Sequence, residues 1–430
     1  MRGRRLRLVL WGVMAFGLGR AAAQAPERLT LKEAERIALS NHPRLRAAQL
    51  NAQAAAQTVT EARSAYFPFV FGSMTGAGAV EESRIAAGGL NNPIIFNRYA
   101  DGFMANQLIT DFGRTSNLVA GTRLQAQAKN ADVNGTHADI LLQVDRAYYS
   151  VLRASSILKV ARETVAARQL VVDQVTALAK SKLKSELDVS FANVNLAEAK
   201  LLLVQAQNDL KAGSAELAAA LGYTGERSFE LTDEAFPAAP LPDLSQAVAQ
   251  AMRDRPELVS LGFRRDAAER FARAEKDLWL PSISAVGGAG IVPIHDSNLL
   301  NRYAAVGLNI NFPIFNGHLF SARKAEARLK FQAENANLMD LQNEITRNVR
   351  IAWLNADTAS QRLGLTKQLL DQASQALDLA QARYNLGLGS IVELSQAQLN
   401  ETQAEIAQSS AKYDYQIQRS VLAYQLGALR

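Results

Sequence analysis

Ala305-Val306-Gly307-Leu308-Asn309-Ile310-Asn311-Phe312 alternates strictly between two kinds of side chain. Successive residues of a strand point to opposite faces, so Val306, Leu308, Ile310 and Phe312 share one face and Ala305, Gly307, Asn309 and Asn311 the other. A face suited to hydrocarbon backed by a face suited to water is the pattern of a transmembrane β-barrel strand. Residues 280–291 supply a partner strand, with Ile283, Ala285 and Gly287 on one side and Ser282, Ser284 and Val286 on the other. The polar stretch 293–302 between them reads as a turn facing the cell exterior.

An equivalent pair lies far upstream, at about 66–80 and 99–109, around a loop carrying Gly88-Gly89 and Asn91-Asn92-Pro93. Its alternation is poorer, since Asn106 falls where the later pair has Ile310. The two pairs belong to an internal repeat, which is to be sought before any motif. His42-Pro43-Arg44-Leu45 recurs as Arg255-Pro256-Glu257-Leu258, and Ala65-Tyr66-Phe67-Pro68 as Leu278-Trp279-Leu280-Pro281, both 213 positions on. Ala147-Tyr148 matches Ala352-Trp353, Lys184-Ser185 matches Gly389-Ser390, and Leu221-Gly222 matches Leu426-Gly427, all 205 positions on. The repeats span 26–222 and 246–430, joined by a linker over 223–245.

Each repeat reads as short helix, helix, strand pair, very long helix, tight turn and helix. Between Gly113 and Pro237 there is no proline, so 114–181 can run as one helix, which at 1.5 Å per residue spans about 100 Å. Residues 318–384 offer the same length, and 186–221 and 391–427 return from the turns. Ile140, Val144, Tyr148, Val151, Ser155 and Leu158 keep coiled-coil spacing, so the long helices require neighbouring helices.

The N-terminus carries Arg2, Arg4, Arg5 and Arg7, an apolar run over 8–18, and the small residues Ala21, Ala22, Ala23 and Ala25. That layout marks residues 1–25 as a secretory signal peptide. The segment holds five arginines and no acid, so beyond it the net charge of +6 falls to 42 basic against 41 acidic residues. A nucleic-acid partner thereby loses its electrostatic basis. Cysteine is absent, which removes disulfides and thiolate metal sites, and His42, His137, His295 and His318 are scattered. No metal or cofactor site is expected. No later stretch has the length of a membrane helix, so an exported chain that spans a membrane must do so as a closed barrel. Four strands cannot close one, since the smallest take about eight. Closure therefore requires more than one copy of the chain.

Leu29-Thr30-Leu31-Lys32-Glu33-Ala34, Ile37-Ala38-Leu39 and Asn41-His42-Pro43 resemble the opening signature of the TolC-like outer membrane factors. Ala382-Arg383-Tyr384, Gly387-Leu388-Gly389-Ser390 and Glu393-Leu394 resemble that family's second helical turn. The resemblance runs from Leu29 to Leu426. It implies a mainly α-helical homotrimer in which a 12-stranded β-barrel in outer-membrane lipid continues into a long periplasmic α-helical barrel. The function implied is a passive exit duct for tripartite efflux or type I secretion, joined to a periplasmic adaptor and an inner-membrane pump whose class stays open.

The resemblance further implies that Lys182, Leu183, Lys184 and Ser185, with Gly387, Leu388, Gly389 and Ser390, form the adaptor-docking tips. Lys182 and Lys184 stand where the second tip has glycines, which puts the first turn's geometry in question. A periplasmic gate is implied at Asp188, Tyr384, Glu393 and Gln396. Asp188 and Tyr384 match one polar link, Gly389 replaces a basic residue of the pattern, and Gln396 loses one of two acidic ring positions. The departures predict a resting state held less firmly than in the family prototype.

Two other classes compete. An enzyme would need a catalytic constellation, and the chain has no Gly-x-Ser-x-Gly, His-Glu-x-x-His or phosphate-binding loop. An adaptor with a helical hairpin would need a lipoyl-like β module between its arms, and the duplicated strand pairs fit a channel better. Drugs, small organic molecules and unfolded polypeptides are all compatible cargo.

Overall fold

The computed structural model describes residues 27–429 apart from 79, 81–83, 88–89, 95–96, 226, 228, 234–239 and 296–299. The signal segment, the Gly88-Gly89 dipeptide and part of the 223–245 linker lie outside the described residues.

The chain opens with β1 (Glu27–Leu29), α1 (Leu31–Asn41) and α2 (Pro43–Arg63). Thr30 caps α1 by accepting the Glu33 N–H, and His42 caps α2 with Pro43 at its first position, where a missing N–H costs nothing. A 3₁₀ turn over Ser64–Tyr66 leads to β2 (Phe69–Ala77), β3 (Arg84–Ala87), β4 (Leu90–Ile94) and β5 (Arg98–Thr110). Then come α3 (Arg114–Lys180), α4 (Glu186–Ala220), β6 (Phe229–Leu231), α5 (Leu244–Asp254) and α6 (Pro256–Lys276). A second 3₁₀ turn, Asp277–Trp279, leads to β7 (Ser282–Ile294), β8 (Arg302–Asn311), α7 (Leu319–Asn385) and α8 (Ile391–Gln425).

Helices α3 and α7 each have 67 residues, and α4 and α8 each have 35. The long helices are therefore about 100 Å in length. Of the six seam positions, Ile140, Val144, Tyr148, Val151 and Leu158 are buried, but Ser155 is exposed and Ala154 is buried in its place. A straight helix drifts about 20° per heptad against a strict seven-residue repeat, which carries the seam from 155 to its neighbour.

Helix neighbours follow a simple order. Towards the turns the sequence across the layer is α4, α3, α8, α7, and towards the sheet it is α2, α3, α6, α7. Alanine and glycine allow close approach: a side chain at Gly121 would strike the Phe271 ring of α6 at 2.8 Å. The main sheet is antiparallel in the order β2-β5-β7-β8. One of its edges and the flanking α2 and α4 come from the first half of the chain, the other edge and α7 from the second.

Several elements differ from expectation. The loop between β2 and β5 contains an antiparallel hairpin, β3 with β4, that includes Pro93. Proline is tolerated there because both strands of a two-stranded sheet are edges. The turn after β7 is shorter than 293–302, since β7 continues to Ile294 and Val292 N–H reaches Asn301 O at 2.8 Å. Conversely β2 starts at Phe69 because residues 64–66 are a 3₁₀ turn. Asn106 faces Phe69 and Val286, and β5 bulges against β7 on either side of it.

The linker also contributes β6, which pairs in parallel with β1. Tyr148 of α3 fastens this pair, its hydroxyl lying 2.9 Å from Leu29 O and 2.7 Å from Thr232 O. Around it cluster Ile140, Val144, Val151, Leu217, Leu221 and Tyr413. Within the same region Asp145 is 3% exposed and its carboxyl meets that of Glu35 on α1.

Among the described residues no helix is long and apolar enough to cross a membrane. The sheet is different. Every residue of β8 is exposed, with Val306 at 89% and Leu308 at 69%, and on the same face lie Ile283, Ala285 and Gly287, which pair with Ile310, Leu308 and Val306.

Candidate functional site

The two interhelical turns end in the same backbone motif. After α3, Leu183 N–H donates to Leu178 O and Lys182 N–H to Ala179 O, both at 2.9 Å. After α7, Leu388 N–H donates to Arg383 O at 2.8 Å and Gly387 N–H to Tyr384 O at 3.1 Å. This pairing of six-to-one and five-to-two bonds requires a left-handed residue just past the helix, and Lys182 and Gly387 fill it with φ of 60° and 75°. The question raised by Lys182 and Lys184 is thus answered: the first turn keeps the glycine geometry despite its lysines. A non-glycine residue in that region costs about 1–2 kcal/mol.

Serines start both return helices. Ser185 accepts the Asp188 N–H at 3.1 Å, while Asp188 Oδ2 accepts from Ser185 N at 3.0 Å and Ser185 Oγ at 2.9 Å. Ser390 accepts the Glu393 N–H at 3.1 Å. These caps satisfy backbone donors that a helix start leaves open. Leu183 and Leu388, at matching positions in the two turns, are 70% and 68% exposed.

Tyr384 is the point where the two hairpins meet. Its ring is buried with Val171, Val172 and Val175 of α3, Ala192 and Leu196 of α4, and Ile391 and Leu394 of α8. The ammonium of Lys184 sits 4.1 Å above the ring centroid. Among the described residues the Tyr384 hydroxyl has no hydrogen-bond partner, so the polar link implied for Asp188 and Tyr384 is not formed here. Burial first, and the nearby Asp188 charge second, hold this phenol above its ordinary pKa.

Glu393 is exposed and pairs with Arg383 Nε at 3.0 Å. Arg383 also donates to Leu388 O at 3.3 Å, so it stitches the second turn to itself. A side chain at Gly389 would meet Arg383 Cβ, Glu393 Oε2 and Tyr384 N, each at 3.3 Å. Gln396 stands apart, exposed and donating to Asn400 at 2.9 Å. Arg383 has no role in the motif Ala382-Arg383-Tyr384 as sequence alone presents it; its charge four residues before Gly387, on a turn with Glu393, is the available signal. Asn195, which donates to Ser395 Oγ at 2.7 Å between α4 and α8, carried no signal at all.

Residues 36–223 and 247–428 match the outer membrane efflux protein family, in two segments that correspond to the two halves of the chain. The chain belongs to that family. This outer membrane efflux protein is 22% identical to outer membrane protein TolC of Escherichia coli K12 over 99% of its own length and 87% of the relative's. It is 29% identical to the cobalt-zinc-cadmium resistance protein CzcC of Cupriavidus metallidurans over 67% of each chain. Among solved structures its fold is similar to the outer-membrane channel OprN, with a TM-score of 0.80 at 19% identity over 93% of this chain and 90% of that one. It is likewise similar to CusC, with a TM-score of 0.79 at 20% identity over 96% of both. The efflux protein is thus a mainly helical outer-membrane channel component with a β part, and the stretch between its two matched segments holds β6.

Proposed function

We propose that three copies of the chain close into one duct, with a twelve-stranded barrel in the outer membrane and a helical tunnel beneath it. The observation that carries this reading is the pair of unpartnered edges. Among the described residues, β2 and β8 each have one side without a paired strand. Helix α4 exposes Leu187, Val194 and Leu201 at seven-residue steps, and α7 exposes Ile351, Leu365 and Leu379 at multiples of seven, with its C-cap Leu386 one step further. Rows with that period call for knobs-into-holes packing against another helix. Joining the second-half edge of one copy to the first-half edge of the next covers both rows and pairs both strands, and twelve strands suffice for a transmembrane barrel.

In this reading the duct is passive and performs no chemistry. An inner-membrane pump drives transport, and a periplasmic adaptor grips the tips at Lys182, Leu183, Lys184 and Ser185 and at Gly387, Leu388, Gly389 and Ser390. Exposed Leu183 and Leu388 give that contact an apolar centre with a polar rim. The tips also serve as the gate, since Tyr384 and its neighbours hold the two hairpins together where the tunnel would narrow. The ion pair to Arg383 offsets the Glu393 charge, so any acidic ring there is weaker than a bare carboxylate would make it.

Separating inner from outer membranes after expression, then weighing the particle extracted from the outer fraction in mild detergent, tests the assembly. A particle with three times the protein mass of the mature chain is expected. A water-soluble periplasmic monomer would overturn the duct.

A further inference from the structure

We propose that Lys184 clasps the first hairpin to the second by seating its ammonium on the Tyr384 ring, and that this contact, not the Tyr384 hydroxyl, holds the tips together at rest. The inference rests on reading the tips as the gate.

The geometry favours the ring face over the hydroxyl. At 4.1 Å from the centroid, Lys184 is well inside the roughly 6 Å reach of a cation–π contact, which strengthens with desolvation. The ring is buried and the lysine partly so. The hydroxyl makes no hydrogen bond, and the nearest acid, Asp188, is occupied by the Ser185 backbone and side chain. Arg383 is spent within its own turn on Glu393 and Leu388 O. Position 389 is crowded on the side where a longer residue would project. Lys184 comes from the turn after α3 and Tyr384 from the last turn of α7, so parting the two hairpins at the tip separates this pair.

The cation at this point is thus supplied by the first turn, where the second has Gly389. Side chains reach the same place from either turn, and only their juxtaposition in three dimensions shows which one does so.

The test is single-channel conductance of the whole protein in planar lipid bilayers, with assembly checked in detergent. Lys184→Met keeps the apolar stem and removes the charge; it is expected to raise the open fraction at least about fivefold, the weight of a single cation–π contact, since each of the three copies loses one. Tyr384→Leu should do the same, while Lys184→Arg and Tyr384→Phe should restore the resting level. Lys200→Met, on the exposed flank of α4, serves as the control. If Lys184→Met matches the parent while Arg383→Met or Glu393→Gln opens the channel, the tips gate but the clasp is wrong. Opening by Tyr384→Phe equal to that of Lys184→Met would also overturn it, because the hydroxyl would then be the holding group. If no tip substitution alters conductance, the gate reading itself falls.

Discussion

Lys182 and Gly387 occupy one and the same left-handed position, each donating its N–H to the carbonyl three residues back, Ala179 and Tyr384. The backbone asks for glycine at both, and only one has it. Lys182→Gly should therefore stabilise the first turn by about 0.5–1 kcal/mol, the steric relief being partly offset by the freer unfolded chain. Amide exchange at Leu183, whose N–H closes the motif, should slow in the variant. Unchanged exchange would mean that Lys182 carries no strain. Gly387→Lys should speed exchange at Leu388 by the same reasoning.

Glu35 and Asp145 make stability depend on pH. Burial first, then the Asp145 charge, push the Glu35 carboxyl up to about 7, with Lys32 working the other way. Burial also raises Asp145, against hydrogen bonds from Ser420 and Glu35. A carboxyl whose folded pKa exceeds its unfolded value contributes fully below the unfolded value, near 4.5, and loses that contribution as pH rises through about 7. Resistance to denaturant should accordingly fall between pH 5 and pH 8, by less than the full shift would give because Glu35 is part-exposed and screened by solvent. Glu35→Gln, neutral throughout, should flatten the curve over that interval. A parent protein equally stable at both ends would refute the pairing.

Gly290 marks the tightest approach in the sheet. A methyl there would strike Asp101 O and the Tyr303 ring, and at the facing Gly102 it would come within 2.6 Å of Ala289 O. Gly307 has open space around it. Gly290→Ala should therefore spread β5 from β7 and cut the yield of assembled protein in the outer membrane several-fold. Gly307→Ala should leave that yield unchanged. Equal yields from the two would show that the sheet relaxes around the added carbon.

Much of the scaffold is legible from residues alone, because long-range order here follows local signals. Strict alternation over 305–312 marks β8, and the proline-free run after Gly113 marks α3, whose ends fall within a residue of expectation. Where local chemistry conflicts with context, reading by pattern fails. Asparagine and proline over 91–93 read as a loop, yet they lie in β4, which pairs with β3. The site was less accessible still. Lys184 and Tyr384 stand 200 positions apart, and nothing in either turn announces that one will cover the other. Glu35 and Asp145 each look like ordinary acids on a helix until α1 lies down on α3.

The free edges also say something about the interval before assembly. A newly exported chain carries an open β8 beside an apolar sheet face, a template for joining with whatever strand comes first. Pairing with a wrong neighbour in water and pairing with the right one in the bilayer compete in time. Fast delivery to the membrane, or a holding factor that keeps β8 covered meanwhile, thus becomes a requirement of the architecture. For the proposed ring, the yield of assembled protein should then be governed by the rate of export relative to capture as much as by the stability of the ring.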